Sequence, residues 1–246
     1  MNEKPEMEIK SVQPSSSEEV KFNPKVMFRN RKDAGEKLGR ALEKYRDKNV
    51  IVLGIPRGGV ETAYYVAKHL NAEMSLIVTR KLGYPFNPEA AFGAIAEDGC
   101  IYVSDIAEQN ISTEQMQDVI KEQKQEIQRR IQTLRRGKPL PSLKGRTVII
   151  IDDGIATGAT LFATISLCKK KKAGKIVVAA PISGERMESI LSEMVDDVVI
   201  LEKPSFYSSV SQGYEDFDNL TDEEALAFMD KYEEEFPVHI VRSHSQ

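Results

Sequence analysis

Apolar residues along this chain follow two alternating rhythms. Short continuous runs, several rich in β-branched residues, occur at Asn49–Ile55, Met74–Thr79, Val148–Ile151, Lys175–Ala180 and Val198–Leu201. They lack the polar alternation of a half-exposed strand and read as strands buried on both faces. Between them, apolar residues recur at helical spacing. Phe28, Ala34, Leu38, Leu42 and Tyr45 predict a first helix, with Asp33 as an early cap. Ala63, Tyr64, Ala67 and Leu70 predict a second. Met116, Val119, Ile120, Ile127, Ile131 and Leu134 form one stripe on a long helix from Ser112 to Arg136. Further helices are expected at Leu161–Cys168, Glu185–Met194 and Asp222–Glu235, and a short strand at Cys100–Val103. Strands alternating with helices predict a doubly wound parallel α/β sheet with helices on both faces.

Two stretches fall outside both rhythms. Residues 1–25 carry Pro5, Pro14, Pro24 and a Ser-Ser-Ser-Glu-Glu run with few apolar residues, and are expected to be a disordered arm. Residues 26–246 then form one domain, with a small hood around 202–236. Leu82 to Gly99 holds Pro85, Pro88 and three glycines, yet also Ala90, Ala91, Phe92, Ala94 and Ile95. It reads either as a mobile loop over a ligand or as a permanently packed segment. The long helix reads as a solvated cover over the sheet edge, or as the contact of a homo-oligomer.

Composition narrows the function classes. Of the residues 41% are hydrophobic and 29% charged, and the net charge is −4, so no basic field advertises nucleic-acid binding. No apolar run reaches membrane-spanning length, and the polar N-terminus lacks a signal-peptide core. The two cysteines, Cys100 and Cys168, form neither a metal set nor a disulfide framework and read as small core residues. A cytoplasmic protein is expected.

The chemistry concentrates where strands end. Val148 to Leu161 reads VIIIDDGIATGATL, a buried strand running into two carboxylates, then a small-residue loop opening a helix. A helix N-terminus offers unpaired N–H groups and the positive end of the dipole to an anion. Small side chains let the backbone close on a phosphate, and Thr157 and Thr160 add hydroxyl donors. Asp152 and Asp153 suit sugar hydroxyls and a hydrated magnesium ion instead. Together they describe a site for ribose 5-phosphate. A second anion loop, Pro56-Arg57-Gly58-Gly59, follows the strand at Asn49–Ile55, where Gly59 can present backbone amides and Arg57 a fork of donors. Arg80 and Lys81 follow the next strand.

This combination closely resembles the type I phosphoribosyltransferases. Their phosphoribosyl pyrophosphate (PRPP) motif is an apolar strand, two acids and a T-G-x-T loop. The likeness extends over roughly Phe28 to Phe217, through IPRGG, RK-x-G-x-P, GA-x-AEDG and DDGIATGAT. It implies that Asp152 and Asp153 bind ribose hydroxyls and magnesium, and that Ala156, Thr157, Gly158, Ala159 and Thr160 cradle the 5′-phosphate. Pro56 to Gly59 would be the pyrophosphate loop, often built on a non-proline cis peptide, and Arg57, Arg80 and Lys81 would stabilise the leaving pyrophosphate. The family sheet order 3-2-1-4-5 would make the strands of the two loops neighbours. Phe206 and Tyr207 occupy the place where purine enzymes stack a base. Hypoxanthine–guanine enzymes carry an Asp just before T-G, and here that position is Ala156. Glu89, Glu97 and Asp98 are candidates for a base. The resemblance implies transfer of a phosphoribosyl group from PRPP to a nitrogenous, purine-like acceptor in nucleotide salvage. The alternative is a regulatory protein that senses PRPP without turning it over.

Overall fold

The computed structural model describes residues 27–104 and 111–237, so the expected N-terminal arm lies outside the described residues. Five parallel strands form the large sheet: β1 (Val50–Gly54), β2 (Glu73–Leu76), β6 (Thr147–Ile151), β7 (Lys175–Ile182) and β8 (Asp197–Glu202). Their order is β2-β1-β6-β7-β8. Three antiparallel strands, β3 (Thr79–Tyr84), β4 (Asn87–Ala96) and β5 (Ile101–Val103), form a second sheet. The helices are α1 (Arg31–Ala41), α2 (Gly58–Leu70), α3 (Thr113–Arg135), α4 (Ala159–Lys170), α5 (Met187–Ser192) and α6 (Asp222–Glu235).

The uninterrupted apolar runs have the expected physical reason: the large sheet is buried on both faces. Val50, Val52, Ile149, Ile151, Val177 and Ala179 face one core, packed against residues of α1, α2, α3 and α6. Their neighbours Ile51, Leu53, Val148, Ile150, Ile176 and Val178 face the other, against α4 and α5. Alternate residues of one strand thus serve opposite cores, so a polar residue at either parity would be buried. The fold is the doubly wound α/β sheet of the type I phosphoribosyltransferases.

Three details differ from the sequence expectation. The strand expected at Met74–Thr79 ends at Leu76: Ile77 N–H turns back to Gly54 O at 3.0 Å and Val78 N–H to the Glu97 carboxylate at 2.9 Å. The chain then enters the small sheet, so Arg80 and Lys81 begin β3 rather than end β2. The strand at Cys100–Val103 does not extend the large sheet. It pairs with β4, and the large sheet reads 2-1-3-4-5 when its own five strands are counted along the chain. The exposed edge of β2 is closed by side chains instead: Tyr232 Oη accepts from Met74 N and donates to Ala72 O, and Arg135 Nη1 donates to Leu76 O. Lastly, Asn30 caps α1 by accepting from Asp33 N at 3.0 Å, which leaves Asp33 in the first turn.

Leu82 to Gly99 takes the packed alternative. Leu82, Phe92, Ala94 and Ile95 are fully buried in the β3–β4 hairpin. The long helix covers β3, β4 and α6 with Ile127 and Leu134 buried, and its ends are set by a Ser112–Gln115 capping box and Arg136 at φ 51°.

Candidate active site

The loops after β1 and β6 meet because those strands are hydrogen-bonded neighbours, from Val50↔Thr147 to Gly54↔Ile151. Beyond the ladder, Ile55 N–H donates to Ile151 O at 2.9 Å, which fastens one loop to the other. The approach is so close that only glycine fits. A Cβ on Gly58 would sit 1.8 Å from Asp153 Oδ2, and one on Gly59 would sit 2.8 Å from Ile151 O and 3.0 Å from Asp152 Cα. The Pro56–Arg57 peptide between strand and glycines is cis.

Both loops open helices that lack a side-chain cap. Arg57 precedes α2 and Gly158, at φ 75°, precedes α4, and neither helix start has a capping side chain. Among the other helices, α1, α3 and α6 are each capped by a side-chain oxygen, from Asn30, Ser112 and Thr221, while α5, after Arg186, also lacks one. Two helix N-termini with free donors therefore converge at the carboxyl ends of adjacent strands, where open α/β sheets bind ligands. Ala156 and Thr157 are exposed on the second loop, Thr160 is half-buried, and Gly158 and Ala159 are buried.

The two acids are unequal. Asp153 is held by Arg31, Nε to Oδ2 at 2.7 Å, with side-chain exposures of 6% for Arg31 and 13% for Asp153. Arg31 Nη1 also donates to Asp218 O at 2.7 Å, and its guanidinium stacks 4.1 Å from the Phe217 ring centre. Tyr214 Oη donates to Asp153 O at 2.5 Å. Asp152 has no such ion pair among the described residues. Burial, and then the adjacent Asp153 carboxylate, push it well above the ordinary carboxylate range, while the Asp153 N–H and the charge of Lys81 pull the other way.

The charge of Lys81 thus acts on Asp152, and that of Arg57 on Arg80. Burial lowers the Arg80 pKa first, then the like charges of Arg130, Arg57 and Arg129, against the opposing pull of Glu126. Arg80 Nε is oriented by Gln123 of α3 at 3.0 Å. Of the three cations singled out from the sequence, Arg57 lies in the loop after β1, and Arg80 and Lys81 lie in β3. Among the described residues no group of three or more His, Cys, Asp or Glu side chains is placed to hold a metal ion.

The aromatic pair splits. Phe206 is 75% exposed. Tyr207 is half-buried, and burial together with Asp153 and Asp152 raises its pKa. Its hydroxyl is buried without a hydrogen-bond partner among the described residues. The candidate bases separate as well. Glu97 pairs with Arg135 at 2.9 Å and accepts from Val78 N, and Asp98 pairs with Lys170 at 3.0 Å and accepts from Cys100 N, so both serve structure. The side chain of Glu89 lies outside the described residues.

Arg31, Tyr214 and Phe217 were not read as site residues from the sequence. Arg31 left a usable trace: it shares the buried stripe of α1 with Ala34 and Leu38, at i, i+3 and i+7. An arginine on an apolar stripe needs a buried partner. Nothing local identifies that partner as Asp153, 122 residues away.

The phosphoribosyl transferase domain model matches residues 16–215. The chain belongs to that family. The match begins inside the stretch expected to be an arm and ends before α6. A relative from Mycobacterium tuberculosis, "Putative phosphoribosyl transferase Rv0571c", is 41% identical over 212 residues, covering 85% of this chain and 48% of its own. A second M. tuberculosis sequence, MT0597, matches equally well, so the chain spans about half the length of the curated relatives it matches. The crystal structure of TT1426 from Thermus thermophilus superimposes with a TM-score of 0.71 at 33% identity, over 84% of this chain and 99% of that one. Among the described residues of this phosphoribosyl transferase domain, no helix is long and apolar enough to cross a membrane.

Proposed function

We propose that the crevice binds PRPP with magnesium and transfers its phosphoribosyl group to a nitrogenous, purine-like base, releasing pyrophosphate. The reaction breaks the bond from the ribose anomeric carbon to pyrophosphate oxygen and forms one to an acceptor nitrogen. The observation that carries this reading is the meeting of two uncapped helix N-termini across Gly58, Gly59, Asp152 and Asp153. A ligand with phosphates at both ends and a diol between them has that pattern of needs.

In this reading the loop Ala156 to Thr160 holds the 5′-phosphate and Pro56 to Gly59 the pyrophosphate. Asp152 and Asp153 take the ribose hydroxyls. Arg57, Arg80 and Lys81 stabilise charge developing on the leaving group, the electrostatic contribution a dissociative transfer chiefly needs. The residues fit magnesium: a desolvated carboxylate next to a second one gains from a cation, and magnesium keeps most of its waters and takes only one or two protein carboxylates. When bound with the substrate it would supply neutralisation of the departing pyrophosphate. The acceptor base lies against Tyr207 and Phe206. Salvage of bases in the cytoplasm is the setting this reading implies.

The test is calorimetry with PRPP and Mg²⁺ on the wild type and on Asp152→Asn/Asp153→Asn, followed by pyrophosphate release with a panel of bases. Saturable binding lost in the double variant is expected, and Arg57→Ala is expected to lower turnover about 100-fold. Absence of PRPP binding by the wild type would refute the proposal. Binding without turnover on any base would favour a PRPP sensor.

A further inference from the structure

The apolar stripe of α3 carries two polar residues. Met116, Ile120, Ile127 and Leu134 share one face of the helix, and Gln123 and Arg130 fall on that same face, at i+7 and i+14 from Met116. Gln123 is half-buried and Arg130 is buried. A polar side chain on a stripe that faces the core is costly unless it finds a partner. Both do. Arg130 Nε donates to Glu126 Oε1 at 2.9 Å, within α3. Gln123 Oε1 instead reaches across to β3 and accepts from Arg80 Nε at 3.0 Å.

That bond leaves the working end of Arg80 free. Among the described residues Nε is the nitrogen of Arg80 that has a partner, and its two Nη groups are open to solvent rather than sealed. A guanidinium is planar, so an acceptor on Nε fixes the plane and aims the Nη fork. The acceptor is also a neutral amide, which orients the charge without cancelling it. The carboxylate whose charge acts on Arg80, Glu126, is already taken by Arg129 Nε and Nη2 at 2.7 and 2.9 Å and by Arg130. Arg80 therefore makes no ion pair among the described residues. The chain enters β3 beside the loop after β1. Ile77 N–H bonds to Gly54 O at 3.0 Å, with Arg80 three residues beyond Ile77 and Arg57 three residues beyond Gly54. In agreement, the charge of Arg57 acts on Arg80.

We infer that Gln123 is a positioning residue for the diphosphate end of the ligand, holding Arg80 by Nε and reserving both charged Nη groups for pyrophosphate oxygens. The inference rests on the proposed function, which puts pyrophosphate against Arg57 and Arg80, and adds to it a residue from a separate element. The residue type follows from the task. An apolar side chain at position 123 would pack on the stripe and leave the guanidinium free to turn about its stem. A glutamate would hold Nε but complete an ion pair, setting a like charge beside the incoming anion.

The experiment is calorimetry on the full chain with two probes, magnesium pyrophosphate and ribose 5-phosphate, which separate the two ends of the crevice. Gln123→Met keeps the stem and removes the acceptor. It is expected to weaken pyrophosphate about tenfold and to change ribose 5-phosphate by less than about twofold, a split that a general loosening of the fold would not produce. Gln123→Glu is expected to weaken pyrophosphate at least about tenfold as well. Because Gln123 acts through Arg80, adding Gln123→Met to Arg80→Met is expected to cost less than about a further twofold. Unchanged pyrophosphate affinity in Gln123→Met, equal losses for both probes, wild-type affinity in Gln123→Glu, or additive losses in the double variant would each overturn this assignment while leaving the crevice assignment standing. A wild type that binds neither probe would overturn both.

Discussion

Arg31 is the residue on which the acidic half of the crevice rests, and replacing it with methionine isolates its contribution. Methionine keeps the stem and deletes the guanidinium. Three contacts go at once: the 2.7 Å bond to Asp153, the 2.7 Å bond to Asp218 O and the stacking on Phe217. With exposures of 6% and 13%, the pair is largely removed from water. Deleting one member of a buried pair costs about 3–5 kcal/mol, because the survivor is a buried charge without a partner. Asp153 borders a crevice that admits some solvent, so the lower end, about 3 kcal/mol, applies. For a domain of this size each kcal/mol lowers the melting temperature by about 2–4 °C, giving a fall of about 6–12 °C. The chain has no tryptophan, so unfolding is followed by far-ultraviolet circular dichroism. Asp153→Asn removes the charge left behind, so the double variant is expected to lose less than the sum of the singles, by about 1–3 kcal/mol. An Arg31→Met cost under about 1 kcal/mol, or strict additivity with Asp153→Asn, would refute the account of a buried, mutually dependent pair.

Gly58→Ala puts a methyl group 1.8 Å from Asp153 Oδ2, so the carboxylate must move; PRPP affinity measured by calorimetry is expected to fall about 100-fold, and an unchanged value would contradict the close approach. Hydrogen bonds from Arg129, and also from Arg130, lower Glu126 from 4.5 to about 2 against the opposing effect of burial. A depressed carboxylate stabilises the fold above its unfolded pKa, and that contribution disappears as pH falls from about 4.5 to about 2. Glu126→Gln is therefore expected to flatten the acid limb of a stability–pH curve across that window, and parallel curves would argue against the assignment. In steady-state kinetics with an accepted base, Tyr207→Ala is expected to raise the acceptor KM more than Phe206→Ala, since Tyr207 is the ring that senses the acids; the reverse order would place the acceptor on the exposed ring.

How far the sequence could be read depends on the range of the interaction involved. The three inner strands, β1, β6 and β7, announced themselves because burial on both faces leaves an uninterrupted apolar run, as in Val148–Ile151. The two strand-end loops were legible because their glycines, Arg57 and the paired acids are written in adjacent residues. The β3–β4 hairpin was not resolved from a loop. Its apolar residues are broken by Gly83, Pro85, Pro88 and Gly93, and irregular pairing at Leu82, Gly83 and Tyr84 interrupts any alternation. A Cβ on Gly93 would stand 2.2 Å from Tyr102 O, a tertiary constraint with no local sign. The Arg31–Asp153 pair and the choice of Tyr207 over Phe206 as the buried ring both depend on contacts across long stretches of chain. Such contacts have no signature in the spacing of neighbours.

The charge of the crevice follows from these long-range choices rather than from composition. The chain carries a net charge of −4, and its most conspicuous motif adds two adjacent carboxylates at the proposed phosphate site. Taken alone, Asp152 and Asp153 would repel a phosphorylated ligand. Arg31 offsets one of them through a buried bond, and burial beside Asp153 disfavours the charge on the other. Arg57, Arg80 and Lys81 are supplied by two further elements, the β1–α2 loop and β3; the charge of Arg57 acts on Arg80 and that of Lys81 on Asp152. Two uncapped helix starts add positive dipole ends with no side-chain charge at all. Cations and acids from separate elements thus meet near the strand ends, and in the proposed reading the acids are the acceptors for hydroxyls or for a metal. In the proposed reading, that arrangement favours a ligand whose anionic groups lie at its ends and whose hydroxyls lie between them. It is less suited to a compact polyanion, which would have to place charge directly on Asp152.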